Sequence, residues 1–154
     1  MLQIKLIQPE MTYNIRHRVL RPHQSIEDSK YESDHEEGSF HVGAFLDDKL
    51  VSVVSFCLEK YPDFPEEVQF RLRAMATLEE YRKIGAGRLA VGFAEQILRD
   101  KGADLLWCKG RTSVQKYYEN LGFRAYGEVF DYPPIGTHII MYKVFDKVSV
   151  NRAE

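Results

Sequence analysis

The stretch EEYRKIGAGRLAVGFAEQIL, residues 79–98, constrains the fold more than any other part of this chain. Ala86, Leu89, Ala90, Phe93, Ala94, Ile97 and Leu98 recur at helical spacing and form one apolar stripe. Arg99 and Lys101 fall in the last turn and Gly102 stops the helix, a conventional ending. The start is unconventional. Instead of a Ser, Thr, Asp or Asn cap followed by acids, Gly85 and Gly87 stand among Arg82, Lys83 and Arg88. The helix macrodipole disfavours cations at this end, so the arrangement reads as a place for something negatively charged. Helix starts expose N–H groups without intrahelical partners, and glycine lets a ligand approach the backbone, which suits phosphate. A glycine-rich turn with solvated basic residues is the plainer alternative.

The surrounding text supplies a sheet for that helix. LQIKLI (2–7) alternates as a strand, and EMTYNIRHRVL (10–20) places Met11, Ile15, Val19 and Leu20 at helical spacing before Pro22. Residues 21–38 are polar and acidic and read as solvated loop with room for a short helix. SFHVGAFL, DDK and LVSVVSFCLEK form a β-hairpin with an acidic turn, YPDFPEE breaks the chain, and VQFRLRAMATL (68–78) is the next strand. After the helix, DLLWC (104–108) is a short strand apolar on both faces. TSVQKYYENLG is a helix capped by Thr112, with Val114, Tyr117, Tyr118 and Leu121 inward and Gly122 at its end. FRAYGEVFDY and THIIMYKVF close the chain around PPIG. The order β-α-(α)-β-β-β-α-β-α-β-β is that of a mixed α/β sheet with helices packed against it, and residues 1–154 read as one domain.

Charge and cysteines narrow the classes. A net charge of −2 with pI near 6.2 gives no global basic field for nucleic acid or acidic membrane. Cys57 and Cys108 lie in apolar runs without metal-ligand spacing, so buried free thiols in a reducing cytoplasm are expected. The N-terminus lacks a signal-peptide core, and LVSVVSFCL is far short of the roughly 20 residues needed to span a membrane. His35 and His41 flank acids at no metal-site spacing, and no metal is expected.

Two nucleotide motifs fail on context. A Walker A loop is absent. GAGRLA (85–90) fits G-x-G-x-x-A, but EEYRKI separates it from the preceding strand and LLWC is followed by Lys109 and Gly110 where a ribose-binding acid belongs. RKIGAG (82–87) fits [RQ]-x-x-G-x-[GA], and KYYENLGF (116–123) is similar to the signature fYeklGF one strand later. Together they resemble the GCN5-related N-acetyltransferase (GNAT) family, with the specific motifs confined to about residues 73–123.

The resemblance implies a GNAT fold and an N-acetyltransferase that moves an acetyl group from acetyl-coenzyme A to a primary amine, here of a small molecule, by direct transfer in a ternary complex. It implies that Arg82, Lys83, Ile84, Gly85, Ala86 and Gly87, with Arg88 next, hold the pyrophosphate. It further implies that pantetheine pairs with the backbone of Met75, Ala76 and Thr77 as an added strand would. Tyr118 aligns with the family tyrosine that protonates the departing thiolate, although periodicity alone does not separate it from Tyr117. WCKGRTS resembles a WCNAR run in some members, which brings Arg111 toward the cofactor. The strand 68–78 departs from many relatives in lacking a carboxylate base; it carries Arg71 and Arg73, suited either to an acceptor with a carboxylate or to an exposed sheet face. His138 in GTHIIM resembles a family histidine that faces the acceptor cleft, with a packed strand-end histidine as the alternative. Family members are often dimers, so a homodimer is compatible. The missing carboxylate motivates one rival reading, a non-catalytic module that binds acyl-coenzyme A.

Overall fold

The computed structural model describes residues 1–146. Its strands are β1 (Leu2–Ile7), β2 (Phe40–Leu46), β3 (Lys49–Leu58), β4 (Gln69–Thr77), β5 (Leu105–Arg111), β6 (Arg124–Tyr132) and β7 (Gly136–Val144). The α-helices are α1 (Tyr13–Ile15), α2 (Ala86–Asp100) and α3 (Gln115–Asn120), joined by several short 3-10 turns. The strands form one seven-stranded sheet in the order β1-β2-β3-β4-β5-β7-β6. β1–β2, β2–β3, β5–β7 and β6–β7 pair antiparallel, whereas Gln69–Arg71 of β4 run parallel to Leu105–Trp107 of β5. The expected mixed α/β sheet is therefore observed. Among the described residues no helix is long and apolar enough to cross a membrane.

The described residues divide into two compact units, residues 1–58 with 72–98, and residues 59–71 with 99–146. In the first unit, β2 and β3 are joined by Asp47 and Asp48, both left-handed (φ 49° and 72°), the geometry of a two-residue hairpin turn. Helical residues 9–20 pass from 3-10 through α to π, so the phase of a single α-helix is lost. Ile15 is buried with Val53, Ala76 and Leu78, whereas Met11, expected inward, is exposed. The stripe of α2 is likewise rotated from expectation. Ala86, Gly87, Ala90, Val91, Ala94 and Leu98 are buried, while Leu89 and Phe93 are exposed. Small residues on the inner face let the helix approach the sheet closely, and Ala86 packs with Ala44 and Val51.

Residues 21–38 are not merely solvated loop. Arg16, fully buried, donates from Nη1 to Asp34 Oδ2 and the Ser29 carbonyl, and from Nη2 to Asp34 Oδ1 and Ser55 Oγ, each at 2.8 Å. The Ser55 hydroxyl continues to His41 Nδ1 at 2.7 Å, and His41 Nε2 donates to the Asp34 carbonyl at 3.1 Å. This chain of bonds makes His41 the Nε2–H tautomer. Burial lowers its pKa and keeps it neutral.

In the second unit, Phe64, Leu105, Trp107 and Ile140 form a core with Tyr61, Phe130 and Tyr142. Gln69, polar on paper, is fully buried because it ties down the Pro-rich turn. Its Oε1 accepts from the Tyr61 amide at 2.7 Å, and its Nε2 donates to the carbonyls of Phe64 (3.0 Å) and Glu66 (2.9 Å). Thr112 does not cap α3 with its side chain; its hydroxyl lies 2.6 Å from that of Thr137. A 3-10 turn over Thr112–Val114 precedes the helix and shifts its phase, leaving Val114 and Tyr117 exposed.

Candidate active site

The basic glycine segment sits where β4 gives way to α2. Leu78 leads into a 3-10 turn (Glu79–Tyr81); Lys83 then takes φ 71° and Gly85 φ 87° before the helix begins at Ala86. The Gly85 carbonyl accepts the first helical bond, from the Leu89 amide at 3.0 Å, so the amides that follow Gly85 have no carbonyl one turn back. Two left-handed residues so close together curl the chain into the kind of concavity whose N–H groups receive anions. Arg82, Lys83, Ile84 and Arg88 are exposed around it, and Ala86 and Gly87 are buried against the protein.

Upstream, β4 is distorted. Ala74 has φ 52° in mid-strand, a left-handed conformation uncommon for a residue with a Cβ, just before Met75, Ala76 and Thr77. Ser52 Oγ meets the Ala76 carbonyl at 3.2 Å and Thr77 Oγ1 at 2.7 Å, holding this end of the strand.

In the second unit, Tyr118 is the inward tyrosine of α3. A Cβ built on Gly110 of β5 would stand 3.4 Å from its ring, and Phe123 meets the same ring edge-on at 5.7 Å between centroids. Gly110 is thus the notch that receives the ring, and Tyr117 beside it is 42% exposed. The Tyr118 phenol is pushed up in pKa by burial, then by Cys108 and Tyr117, with Arg111 opposing. It therefore remains an O–H donor throughout the physiological range.

A basic, left-handed loop before a helix and a half-buried tyrosine with a desolvated phenol on a later helix are the two features that the sequence motifs carried. The acetyltransferase (GNAT) family model matches residues 6–123. The chain belongs to this family. It is 51% identical over 143 residues to the uncharacterized N-acetyltransferase YitI of Bacillus subtilis strain 168, covering 93% of this chain and 96% of that one. An acyl-CoA N-acyltransferase from Pseudomonas aeruginosa shares its fold with TM-score 0.73 and 19% identity, over 94% of this chain and 100% of that one. FeeM, an N-acyl amino acid synthase from uncultured soil microbes, does so with TM-score 0.78 and 11% identity, over 94% and 91%. As a GNAT acetyltransferase the protein is an acyltransferase with acyl-coenzyme A as co-substrate.

The remaining candidates fall into this acetyltransferase as follows. Arg111 is half-buried and opposite His138 in the β5–β7 register. His138 is buried, donates from Nδ1 to the Gly136 carbonyl at 2.9 Å, and packs between Phe130 and Tyr132. Arg71 and Arg73 do not form an exposed sheet face. Arg71 is 9% exposed, lies over the Trp107 ring at 5.0 Å, and meets Glu59. Arg73 lies over the Tyr31 ring at 4.5 Å and donates to Ser33 Oγ at 3.3 Å. Each guanidinium thus has an aromatic ring beneath it and a polar partner distant in sequence, which for Arg71 is the Glu59 carboxylate.

Sequence reasoning missed Arg16, Tyr31, Asp34 and Glu59. They stood in polar stretches without a local pattern, with partners 12 (Glu59–Arg71), 18 (Arg16–Asp34) and 42 (Tyr31–Arg73) positions away. Among the described residues no group of three or more His, Cys, Asp or Glu is placed to hold a metal.

Proposed function

We propose that residues 1–154 form a single cytoplasmic acetyltransferase domain that transfers the acetyl group of acetyl-coenzyme A to a primary amine of a small molecule, directly and within a ternary complex. The observation that carries the reading is the backbone at Lys83 and Gly85, curled immediately before the unpaired amides of α2 and surrounded by Arg82, Lys83 and Arg88. Pyrophosphate suits that concavity, with contact made largely by backbone N–H groups of Ile84 to Arg88. The backbone of Met75, Ala76 and Thr77, which follows the left-handed Ala74, supplies hydrogen bonds for pantetheine. Arg111 assists on the cofactor side.

In the reaction the neutral amine nitrogen attacks the thioester carbonyl, the C–N bond forms and the C–S bond breaks. The thiolate takes the Tyr118 phenolic proton, and the new amide's extra proton passes to solvent. Burial suits Tyr118 to this role, because a phenol with a raised pKa is kept in its donating form. An alkylammonium with pKa near 10 must first lose a proton, and β4 offers no carboxylate for that step.

Thermal unfolding with acetyl-coenzyme A, coenzyme A and NADPH tests the binding half. A ligand at 100 times its Kd stabilises a one-site protein by about 2.7 kcal/mol. A shift with both coenzyme A species and none with NADPH is expected. Thiol release with a panel of amines tests the transfer half, and release that does not depend on any amine overturns it.

A further inference from the structure

Helix α3 carries Tyr118 but has little burial of its own to hold it in place. It is six residues long, Gln115–Asn120, and none of them is fully buried. So short a helix is marginal by itself, and its position depends on what grips its ends. The C-terminal end is gripped closely. Gly122 takes φ 98°, its amide donates to the Glu119 carbonyl at 3.0 Å, and the Phe123 amide donates to the Tyr118 carbonyl at 3.1 Å. These are the two bonds of a Schellman motif, with Tyr118 three residues before the cap residue Leu121 and Phe123 two beyond it. The apolar contact that accompanies such a motif is here the edge-on meeting of the Tyr118 and Phe123 rings.

The carbonyl of Leu121 itself is taken from outside the helix. Lys143 Nζ donates to it at 2.7 Å, the length of a charge-assisted bond. The same ammonium stands over the Phe123 ring at 5.9 Å from its centroid. A Cβ built on Gly122 would lie 3.0 Å from both Cε and Nζ of Lys143, so the lysine runs directly along the backbone of the turn. Its own backbone is fixed in β7, where it pairs with Leu106 of β5. Met141, two residues earlier on the same strand face, reaches the Gly110 notch beside the Tyr118 ring. β7 therefore touches the surroundings of the phenol twice, with an apolar group at the ring and a charged one at the helix end. All of these residues belong to the second unit.

We propose that Lys143 is a positioning residue for the transfer reaction: through the Leu121 carbonyl and Phe123 it fixes where the Tyr118 phenol stands when the thiolate departs. This rests on the reading of Tyr118 as the acid and adds a residue to it. An acid delivers its proton only within hydrogen-bond reach, about 2.6–3.2 Å. A misplacement of about 1 Å by a group remote from the chemistry costs on the order of a hundredfold in rate. The Gly110 notch sets the depth of the ring, whereas the Lys143 bond sets the position of the helix end that carries it. Anchoring that end on a central strand removes the freedom that so short a helix would otherwise keep.

The test is a double-variant cycle on thiol release from acetyl-coenzyme A, with ethanolamine, glycinamide, benzylamine and spermidine as acceptors. Lys143→Met keeps the apolar stem and removes the donor. It is expected to lower kcat about tenfold while the KM for acetyl-coenzyme A changes less than about twofold. In the Tyr118→Phe background no phenolic proton remains to be placed, and the same substitution should change kcat by less than about twofold. A merely structural lysine predicts the same loss in both backgrounds, so equal losses overturn the assignment. A wild-type kcat in Lys143→Met overturns it as well. Should Lys143→Met fail to fold, Lys143→Gln, which keeps an uncharged donor, enters the same comparison. Undiminished turnover in Tyr118→Phe overturns the acid reading, and release with none of these amines overturns the acceptor reading; either takes this assignment with it.

Discussion

Gly110 and Tyr118 fit each other as notch and ring: a Cβ at position 110 would come within 3.4 Å of two ring carbons of the tyrosine and 3.5 Å of Met141 Sδ. Gly110 has no left-handed φ and a Cβ there would only touch the ring, so what the site resists is a side chain that branches further toward Tyr118. Gly110→Val is therefore expected to displace the ring, destabilise the protein by about 1–3 kcal/mol as overpacking does, and lower kcat. Tyr118→Phe keeps the ring packed and removes only the donor. Its melting temperature should stay close to wild type while kcat falls by roughly a hundredfold or more, the usual contribution of a general acid. Unchanged turnover in Tyr118→Phe would dismiss the phenol as the acid.

The pH profile follows from the same burial. Because the Tyr118 pKa is raised, its protonated form persists above the ordinary phenol range. kcat/KM should rise with pH as the acceptor ammonium deprotonates, with no falling limb from Tyr118 up to about pH 10. A descending limb between pH 8 and 9 that vanishes in Tyr118→Phe would contradict the raised value.

Acid should unfold the protein in two stages set by the Arg16 cluster. Burial holds the His41 pKa below its ordinary 6.5, so the stability that neutral His41 contributes is present above that value and is lost as pH falls below it. Burial alone would raise Asp34, but the Arg16 hydrogen bonds and charge outweigh it and lower the pKa from 3.8. Its contribution is therefore lost only as pH falls below about 4. Asp34→Asn should remove the lower stage and destabilise by about 3–5 kcal/mol at neutral pH, because Arg16 is left buried without its partner. Melting temperatures across pH 3 to 8 for wild type and Asp34→Asn measure both effects.

Backbone strain near the cofactor loop gives a separate check. Gly85→Ala places a Cβ at φ 87°, a cost of about 1–2 kcal/mol. The KM for acetyl-coenzyme A should rise with it, since the curled amides are the proposed phosphate contacts. Ala74→Val is expected to destabilise by about 1–3 kcal/mol, because a β-branched residue tolerates φ 52° poorly, whereas Ala74→Gly should raise the melting temperature. Equal melting temperatures for the two Ala74 variants would show that the strand relaxes without strain.

The sheet was legible because strand periodicity survives folding: each expected strand is present with its ends shifted by a few residues. Helix faces were less legible. The α2 stripe counts large apolar residues, but the inner face is chosen by size, so Gly87 and Val91 turn inward in place of Leu89 and Phe93. Tyr117 and Tyr118 are adjacent on one helix, and what distinguishes them is a glycine on another element. The loop 21–38 looked like solvent-facing text because Asp34 is buried only by virtue of Arg16, eighteen positions earlier. Pairings of that kind depend on where two segments meet in space, and no local pattern encodes them.

The strand order around β7 has a consequence for how the chain is made. β7 lies between β5 and β6, so β6 leaves the ribosome without a neighbour to pair with, and its partner is still unsynthesised. At the ordinary pace of translation the wait for β7 lasts about a second. Seven of the nine residues of β6 are exposed in the finished protein, so the strand gives up little burial by pairing late. Closure of this end of the sheet is then a single late event in which β7 enters a gap and recruits β6 behind it.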